Sequence, residues 1–199
     1  MQRPPTILFL SIGGLTTLSL MWVWHDPAVD FADGVQAPDE PEQYAIDAPS
    51  YTLGDWTIEP LASYRFEAVI LHTYRYRFDR IADLSPIDLA IGWGPMSDGT
   101  NLNTARFSQG DRFYNYRYDG STGQKNMFAL HSANVHAVPA NAEIRKQLLR
   151  LKPGQLVRLS GQLVAAQNTD GQAVRSSLRR DDSGAGACEL MVVEQLHID

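Results

Sequence analysis

The sequence predicts a mostly β domain with one helix, set behind an amino-terminal membrane helix. Three patterns carry that expectation. Residues 63–79 alternate between apolar and polar side chains, which gives a strand one buried and one wet face. A capped, one-sided apolar pattern over 141–154 marks a helix, and further strand patterns follow it. The run from Thr6 to Trp24 contains no charged residue.

That run comes first in the chain. As a helix it spans roughly 28 Å, about the thickness of a bilayer's hydrocarbon core. Arg3 lies on one side, and Trp22 and Trp24 sit at the other end, where indoles favour the membrane interface. A cleaved signal peptide is the competing reading, but Trp-Val-Trp-His-Asp-Pro offers no small-residue cleavage site. Residues 1–24 are therefore expected to form an uncleaved anchor, with Arg3 in the cytoplasm and the rest of the chain exported. Residues 25–50 carry seven acidic residues, Asp26, Asp30, Asp33, Asp39, Glu40, Glu42 and Asp47, with four prolines and no Lys or Arg. Such a segment, short of large apolar residues, is expected to be a flexible acidic linker.

The whole chain has 17 basic and 23 acidic residues; the first fifty hold 1 and 7, leaving 16 of each in residues 51–199. A balanced domain argues against nucleic-acid binding, which normally shows a basic excess. Its basic residues are mostly Arg, suited to paired planar hydrogen bonds. Cys188 is the sole cysteine, so this β-rich extracytoplasmic domain has no internal disulfide and depends on its core.

Within 63–79, Tyr64, Phe66, Ala68, Ile70, His72, Tyr74, Tyr76 and Phe78 share one parity, broken by Val69 and Leu71 on the other. Residues 85–97 fit no strand pattern and read as a short helical turn and an ordered loop. Arg112 to Tyr118 is an aromatic strand, and Met127 to Val138 reads as a third. Asn141 caps the helix, Ile144, Leu148 and Leu151 form its apolar side, and Pro153-Gly154 end it. In the next strand Val157, Leu159, Gly161 and Leu163 face one way. Asp170-Gly171 turn the chain into a return strand over 172–178. The last strand, 187–196, is apolar on both parities and is expected to be covered on both faces. A helix inserted before the last strands suits a small antiparallel barrel, OB-like or SH3-like, with a β-sandwich as the alternative.

Three groups of residues are candidates for chemistry. His131, Ser132, Asn134 and His136 lie together in one segment. On a straight strand the two histidines point to opposite faces and cannot share a metal, and no third ligand is at hand, so no metal and no cofactor is expected. Histidine and asparagine there also serve to satisfy backbone groups where a strand bends. Arg179, Arg180, Asp181 and Asp182 sit in a Gly-rich loop that either pairs internally or grips an anion or carboxylate. Cys188 shares parity with Leu190 and Val192 and reads as a small core residue. Tyr114 and Tyr116, with Tyr64, Tyr74, Tyr76 and Tyr118, offer either a stacking platform or cross-strand packing.

The blocks "SPIDLAIGWGPMSD" (85–98), "HSANVHAVPA" (131–140), "LVRLSGQLV" (156–164) and "SSLRRDDSGAGACE" (176–189) resemble blocks in a family of uncharacterised bacterial proteins with one amino-terminal membrane segment. That resemblance implies an envelope location and assigns no activity to any residue. The expected function is a binding or scaffolding module, held at the inner membrane by residues 6–24 with its C-terminal domain in the periplasm, touching an envelope protein or a cell-wall component. The alternative is an envelope hydrolase or transferase that uses His131 or His136 with Ser132, Asp181 or Asp182.

Overall fold

The computed structural model describes residues 29–118, 122–179 and 186–199. Ten strands are present among them: β1 (Glu42–Ala45), β2 (Tyr51–Leu53), β3 (Trp56–Arg75), β4 (Ile87–Gly92), β5 (Ala105–Gly110), β6 (Phe113–Tyr118), β7 (Ser132–Pro139), β8 (Leu156–Asn168), β9 (Ala173–Arg175) and β10 (Glu189–Ile198). Three short helices are interleaved: α1 (Gly99–Leu102), α2 (Thr122–Leu130) and α3 (Ala142–Leu148).

The fold is mostly β. Eight strands form one sheet in the order β1-β3-β4-β7-β10-β8-β9, with β2 beside β3, and β5 and β6 form a separate hairpin. Because β3 also pairs with β8, the strands β3, β4, β7, β10 and β8 close a ring of hydrogen bonds. The length of β3 permits this. One of its edges takes β8 along Trp56 to Val69, while the other takes β2, β1 and β4 in turn. Ring neighbours are antiparallel except β7 and β10, which run parallel.

The main core fills the ring. Tyr64, Phe66, Ala68 and Ile70 of β3 meet Ile87, Leu89 and Ile91 of β4, Val135 and Ala137 of β7, Leu159 and Leu163 of β8, and Met191 and Val193 of β10. Helix α3 adds Ile144, Leu148 and the following Leu151 to the same core. Its start is set by Asn141, whose Oδ1 accepts from the backbone N–H of Glu143 and Ile144 at 3.0 Å each. The last strand is covered on both faces as expected: Met191 and Val193 point inward, while Leu190 and Val192 pack outward with Trp56, Ile58, Val164 and Ala166.

Four sequence expectations are corrected. The alternation of 63–79 does not run to its end: the register of β3 slips between Ile70 and His72. Side chains beyond the slip change faces, leaving Tyr74 at 42% exposure, and β3 ends at Arg75, so Phe78 lies past the strand at 97% exposure. Val69 and Leu71 are not breaks in the pattern; they are buried on the outer face in a second core with Ala90, Met96, Leu102 and Phe128, under the β5–β6 hairpin. The stretch 85–97, expected as a short helical turn and an ordered loop, does hold a 3-10 turn over Gly94–Ser97, but it also contains β4, which is buried along its whole length on both faces. Residues 127–138, expected as one strand, are the end of α2 followed by β7.

The fourth correction concerns residues 29–50, expected to be flexible. They form a strap packed on the sheet. Phe31 and Ala37 are buried, and β1 pairs with β3. Polar side chains supply the strap's backbone with partners. Asn103 bonds both the N–H and the carbonyl of Phe31 at 3.1 Å, and Ser97 Oγ accepts from Ala37 N–H at 2.9 Å. The folded unit therefore starts before residue 51. The expected anchor, residues 6–24, lies outside the described residues, and among those described no helix is long and apolar enough to cross a membrane.

Candidate functional site

A buried polar cluster lies between the outer face of the ring and the β5–β6 hairpin. It begins with strand register. Asp88 of β4 sits directly opposite His136 of β7, on the face away from the core. Asp88 has no exposure to solvent and His136 has 8%. The His136 Nδ1 lies 2.9 Å from Asp88 Oδ1. The ring N–H is not aimed at that oxygen, so the contact is an ion pair and not a formed hydrogen bond, and Asp88 Oδ2 has no hydrogen-bond partner.

The hairpin supplies the counter-charge. Gly110 pairs with Phe113, so Asp111 and Arg112 are the two central residues of a two-residue turn, with φ of 50° and 67°. Positive φ at both places is the geometry of the tight hairpin turn that matches strand twist, normally held by Asn or Gly. Non-glycine residues adopt it at a cost, and here it aims Arg112 into the crevice. All five guanidinium N–H donors have acceptors there. Nε and Nη2 bond the two Asp79 oxygens at 2.8 Å each, and Nη1 bonds Asp88 Oδ1 at 2.7 Å and Ser85 Oγ at 3.3 Å. Nη2 also reaches the Ser85 carbonyl at 2.9 Å. The guanidinium lies 3.7 Å over the ring of Tyr76, whose hydroxyl accepts from Arg112 N–H.

A chain of side-chain bonds extends the cluster. Asn134 Nδ2 donates to the Arg112 carbonyl at 3.0 Å, Gln109 Nε2 donates to Asn134 Oδ1 at 2.6 Å, and Gln109 Oε1 lies 3.0 Å from His72 Nδ1. Cys188, just before β10, closes it: its half-buried sulfur lies 3.5 Å from Asn134 Nδ2 and 3.7 Å from the Arg112 carbonyl.

The charges follow from this geometry. Burial pushes the His136 imidazole down, but Asp88 and the Cys188 sulfur outweigh it and raise it to about 9, so the ring is cationic at neutral pH. Burial also works against the Asp79 carboxylate, and Arg112 outweighs it, holding Asp79 below the usual carboxylate range. Burial, with the nearby Asp88 charge, pushes the Tyr76 phenol up to about 12. Two carboxylates thus face one guanidinium and one imidazolium.

Of the candidates read from the sequence, His136 and Asn134 belong to this cluster. His131 and Ser132 do not. They are bound to the end of α2, His131 Nδ1 lying 3.0 Å from the Met127 carbonyl and Ser132 Oγ donating to Phe128 at 2.5 Å. Tyr114 and Tyr116 pack in the hairpin core; Tyr116 stacks on Phe128 at 5.0 Å between centroids, and burial pushes the Tyr114 phenol up. Arg179 is exposed on the loop after β9, while Arg180, Asp181 and Asp182 lie outside the described residues. Asp88, Arg112 and Gln109 carried no warning in the sequence beyond Asp88 being a lone acid inside an apolar stretch, and Cys188, expected in the core, instead edges this cluster. Among the described residues no group of His, Cys, Asp and Glu is arranged to hold a metal ion.

A second feature is a groove of about 660 Å³ across β3, β8 and β10. Phe66, Leu159 and Leu196 supply its apolar part, with Arg65, Glu67, Arg158 and His197 around them and residues 39–42 of the strap along one side. Arg65 holds Glu42 through two bonds of 2.9 and 2.8 Å, and Arg158 holds Asp199 at 2.5 Å. Comparison with family models, with curated proteins and with solved structures finds no match for this chain.

Proposed function

We propose that this chain is a binding or scaffolding module of the bacterial envelope, built on a five-stranded barrel of the OB type and held at the inner membrane by residues 6–24. The ring order β3-β4-β7-β10-β8, its parallel β7–β10 pair and the position of α3 between β7 and β8 support the OB reading over an SH3-like one. In OB folds the face of the second and third strands takes oligonucleotides or oligosaccharides. Here the corresponding β4–β7 face is covered by the chain's own hairpin, which Arg112 pins in place.

The observation that carries the reading is the open groove on another part of the ring. It combines an apolar floor with fixed charges of both signs, as a protein or peptide-containing cell-wall partner requires. The periplasmic location rests on the uncharged run from Thr6 to Trp24. Site-specific photo-crosslinking in cells tests it. A crosslinker at Ser160 or Gln195 is expected to yield a defined adduct that Arg158→Glu abolishes, while one at Phe78, on a distant loop, yields none. The same adduct from all three positions, or none from the groove, overturns the proposal.

The alternative of a hydrolase or transferase is favoured by one observation, the placement of His136 between Asp88 and Cys188. Acyl transfer also needs preorganised donors for a developing oxyanion and a cleft for the substrate. The Asn134 amide divides its N–H groups between the Arg112 carbonyl and the Cys188 sulfur, and Cys188 does not line the groove.

A further inference from the structure

Strand β3 ends at Arg75, and the loop beyond it reads Tyr76-Arg-Phe-Asp-Arg80. Phe78 is 97% exposed in it, and Arg77 and Arg80 are exposed and form no ion pair among the described residues. Slack chain is not the reason. The Tyr76 hydroxyl accepts from Arg112 N–H at 2.9 Å, the Arg112 guanidinium holds both Asp79 oxygens, and Ile81 N–H donates to Asp79 Oδ1 at 3.0 Å. The loop is thus braced on both sides of a phenylalanine that it presents to water. The same bonds set it against the hairpin tip, where Phe113 is exposed too.

Helix α3 extends the charge. Arg75 Nη2 donates to the Leu149 carbonyl at the C-terminal end of that helix, joining the end of β3 to residues 142–155. This stretch adds Arg145, Lys146, Arg150 and Lys152, all exposed. Residues 74–80 and 142–155 together hold seven basic residues and two acidic ones, and Arg112 already holds one of those acids, Asp79. The rest of residues 51–199 has nine basic and fourteen acidic, so a domain neutral in sum gathers its basic charge at this end. A one-sided field orients a molecule on an anionic surface, and an exposed aromatic among arginines enters the headgroup region while their guanidiniums pair with phosphates. The described chain also begins at this end: Val29 lies beside Gly154, where an added Cβ would come within 3.2 Å of it. Val29 follows Trp24 by five residues, a reach of at most about 18 Å.

We propose that this end of the domain is a membrane-contact surface, with Phe78 seated among anionic phospholipid headgroups and Arg77, Arg80 and the cations of residues 142–155 on their phosphates. The inference rests on the anchored reading only for proximity: residues 6–24 crossing the bilayer would hold the basic end close and raise its local concentration there. None of these residues lines the groove across β3, β8 and β10, so lipid contact here and a partner there do not compete for side chains.

The test floats the full chain with vesicles of phosphatidylcholine alone, or with about a third phosphatidylglycerol. Benzoylphenylalanine replaces Phe78, aromatic for aromatic, and covalently attached lipid is read by intact mass after illumination. Lipid, not protein, is the adduct expected from this position. Its yield in anionic vesicles is expected to be at least about fivefold above that in neutral vesicles, and above that from the same probe at Tyr44, 63% exposed on β1. Arg77→Glu combined with Arg80→Glu, or salt raised to about 0.5 M, is expected to lower it at least about fivefold. Equal yields at positions 78 and 44, or in both vesicle types, overturn the proposal, and this comparison decides alone if the double variant does not fold. An adduct to a single-stranded oligonucleotide, added at matched phosphate, in place of lipid overturns it as well. Flotation judges the anchor separately. A chain that floats with both vesicle types yet gives no lipid adduct at position 78 keeps the anchor and sinks this inference. One that floats only with anionic vesicles and gives the adduct keeps this inference and sinks the anchor.

Discussion

Arg112 does work that no other cation could do in its place. It satisfies five donors at once from a strained turn, and it neutralises a carboxylate that has no access to water. Arg112→Ala is expected to cost about 3–5 kcal/mol, because Asp88 is left buried with only His136 beside it. Arg112→Lys keeps the charge but loses the planar fork and is expected to recover only part of that loss. Urea unfolding midpoints, with the slope checked for constancy, measure both. His136 gives the molecule a pH signature. Its ordinary value of 6.5 is raised to about 9 in the folded state, so protonation favours folding. The contribution is complete below about 6.5 and is lost as pH climbs through about 9, and His136→Gln should flatten stability across that window. Thermal melts from pH 6 to 10 check the sign; a wild-type protein that gains stability over that range contradicts it. At this scale the sequence was partly legible. His136 and Asn134 announced themselves as polar residues in an apolar segment. Asp88, Arg112 and Cys188 did not, because their meeting depends on strand register and on a turn that swings the hairpin over the sheet.

The elements show where periodicity informs and where it misleads. Strand β8 reads in the sequence as it stands in the structure, because one face lines the core and Gly161 lies in that row. A Cβ at Gly161 would come within 1.9 Å of the Val192 carbonyl, beside the register slip between Val193 and Gln195 in β10. Gly161→Ala is therefore expected to be strongly destabilising or to prevent folding, read by the yield of soluble protein and its melting temperature. Asn141→Ala removes two bonds to the first turn of α3 and is expected to cost about 1 kcal/mol. Strand β4 was illegible for the opposite reason. Covered on both faces, it shows no alternation, and its flanking Gly and Pro imitate a loop. Helix α2 was missed because much of what fixes it is tertiary: Phe128 stacks with Tyr116 and Tyr118 of the hairpin, at 5.0 and 5.1 Å.

For the molecule as a whole, the composition of residues 29–50 misleads. Acidic residues and prolines resemble a free linker, yet buried Phe31 and Ala37, a few side-chain caps and the pairing of β1 with β3 hold the strap down. Phe31→Ala is expected to cost about 3–5 kcal/mol, and limited proteolysis should then cut between residues 29 and 41 before any cut in the ring. The mostly β class and the single well-capped helix were legible because they rest on local repeats. The closure of the ring was not, since it pairs segments far apart in sequence. That closure has a consequence for biosynthesis. Strand β10 follows every other strand of the ring in the chain, and it alone joins β7 to β8. Until it emerges, two strands that are buried in the mature protein present unpaired backbone edges, which are prone to wrong partners. A nascent chain that stalls before β10 is made is thus a natural client for chaperones, and residues 189–198 act as the fastener that ends its vulnerability.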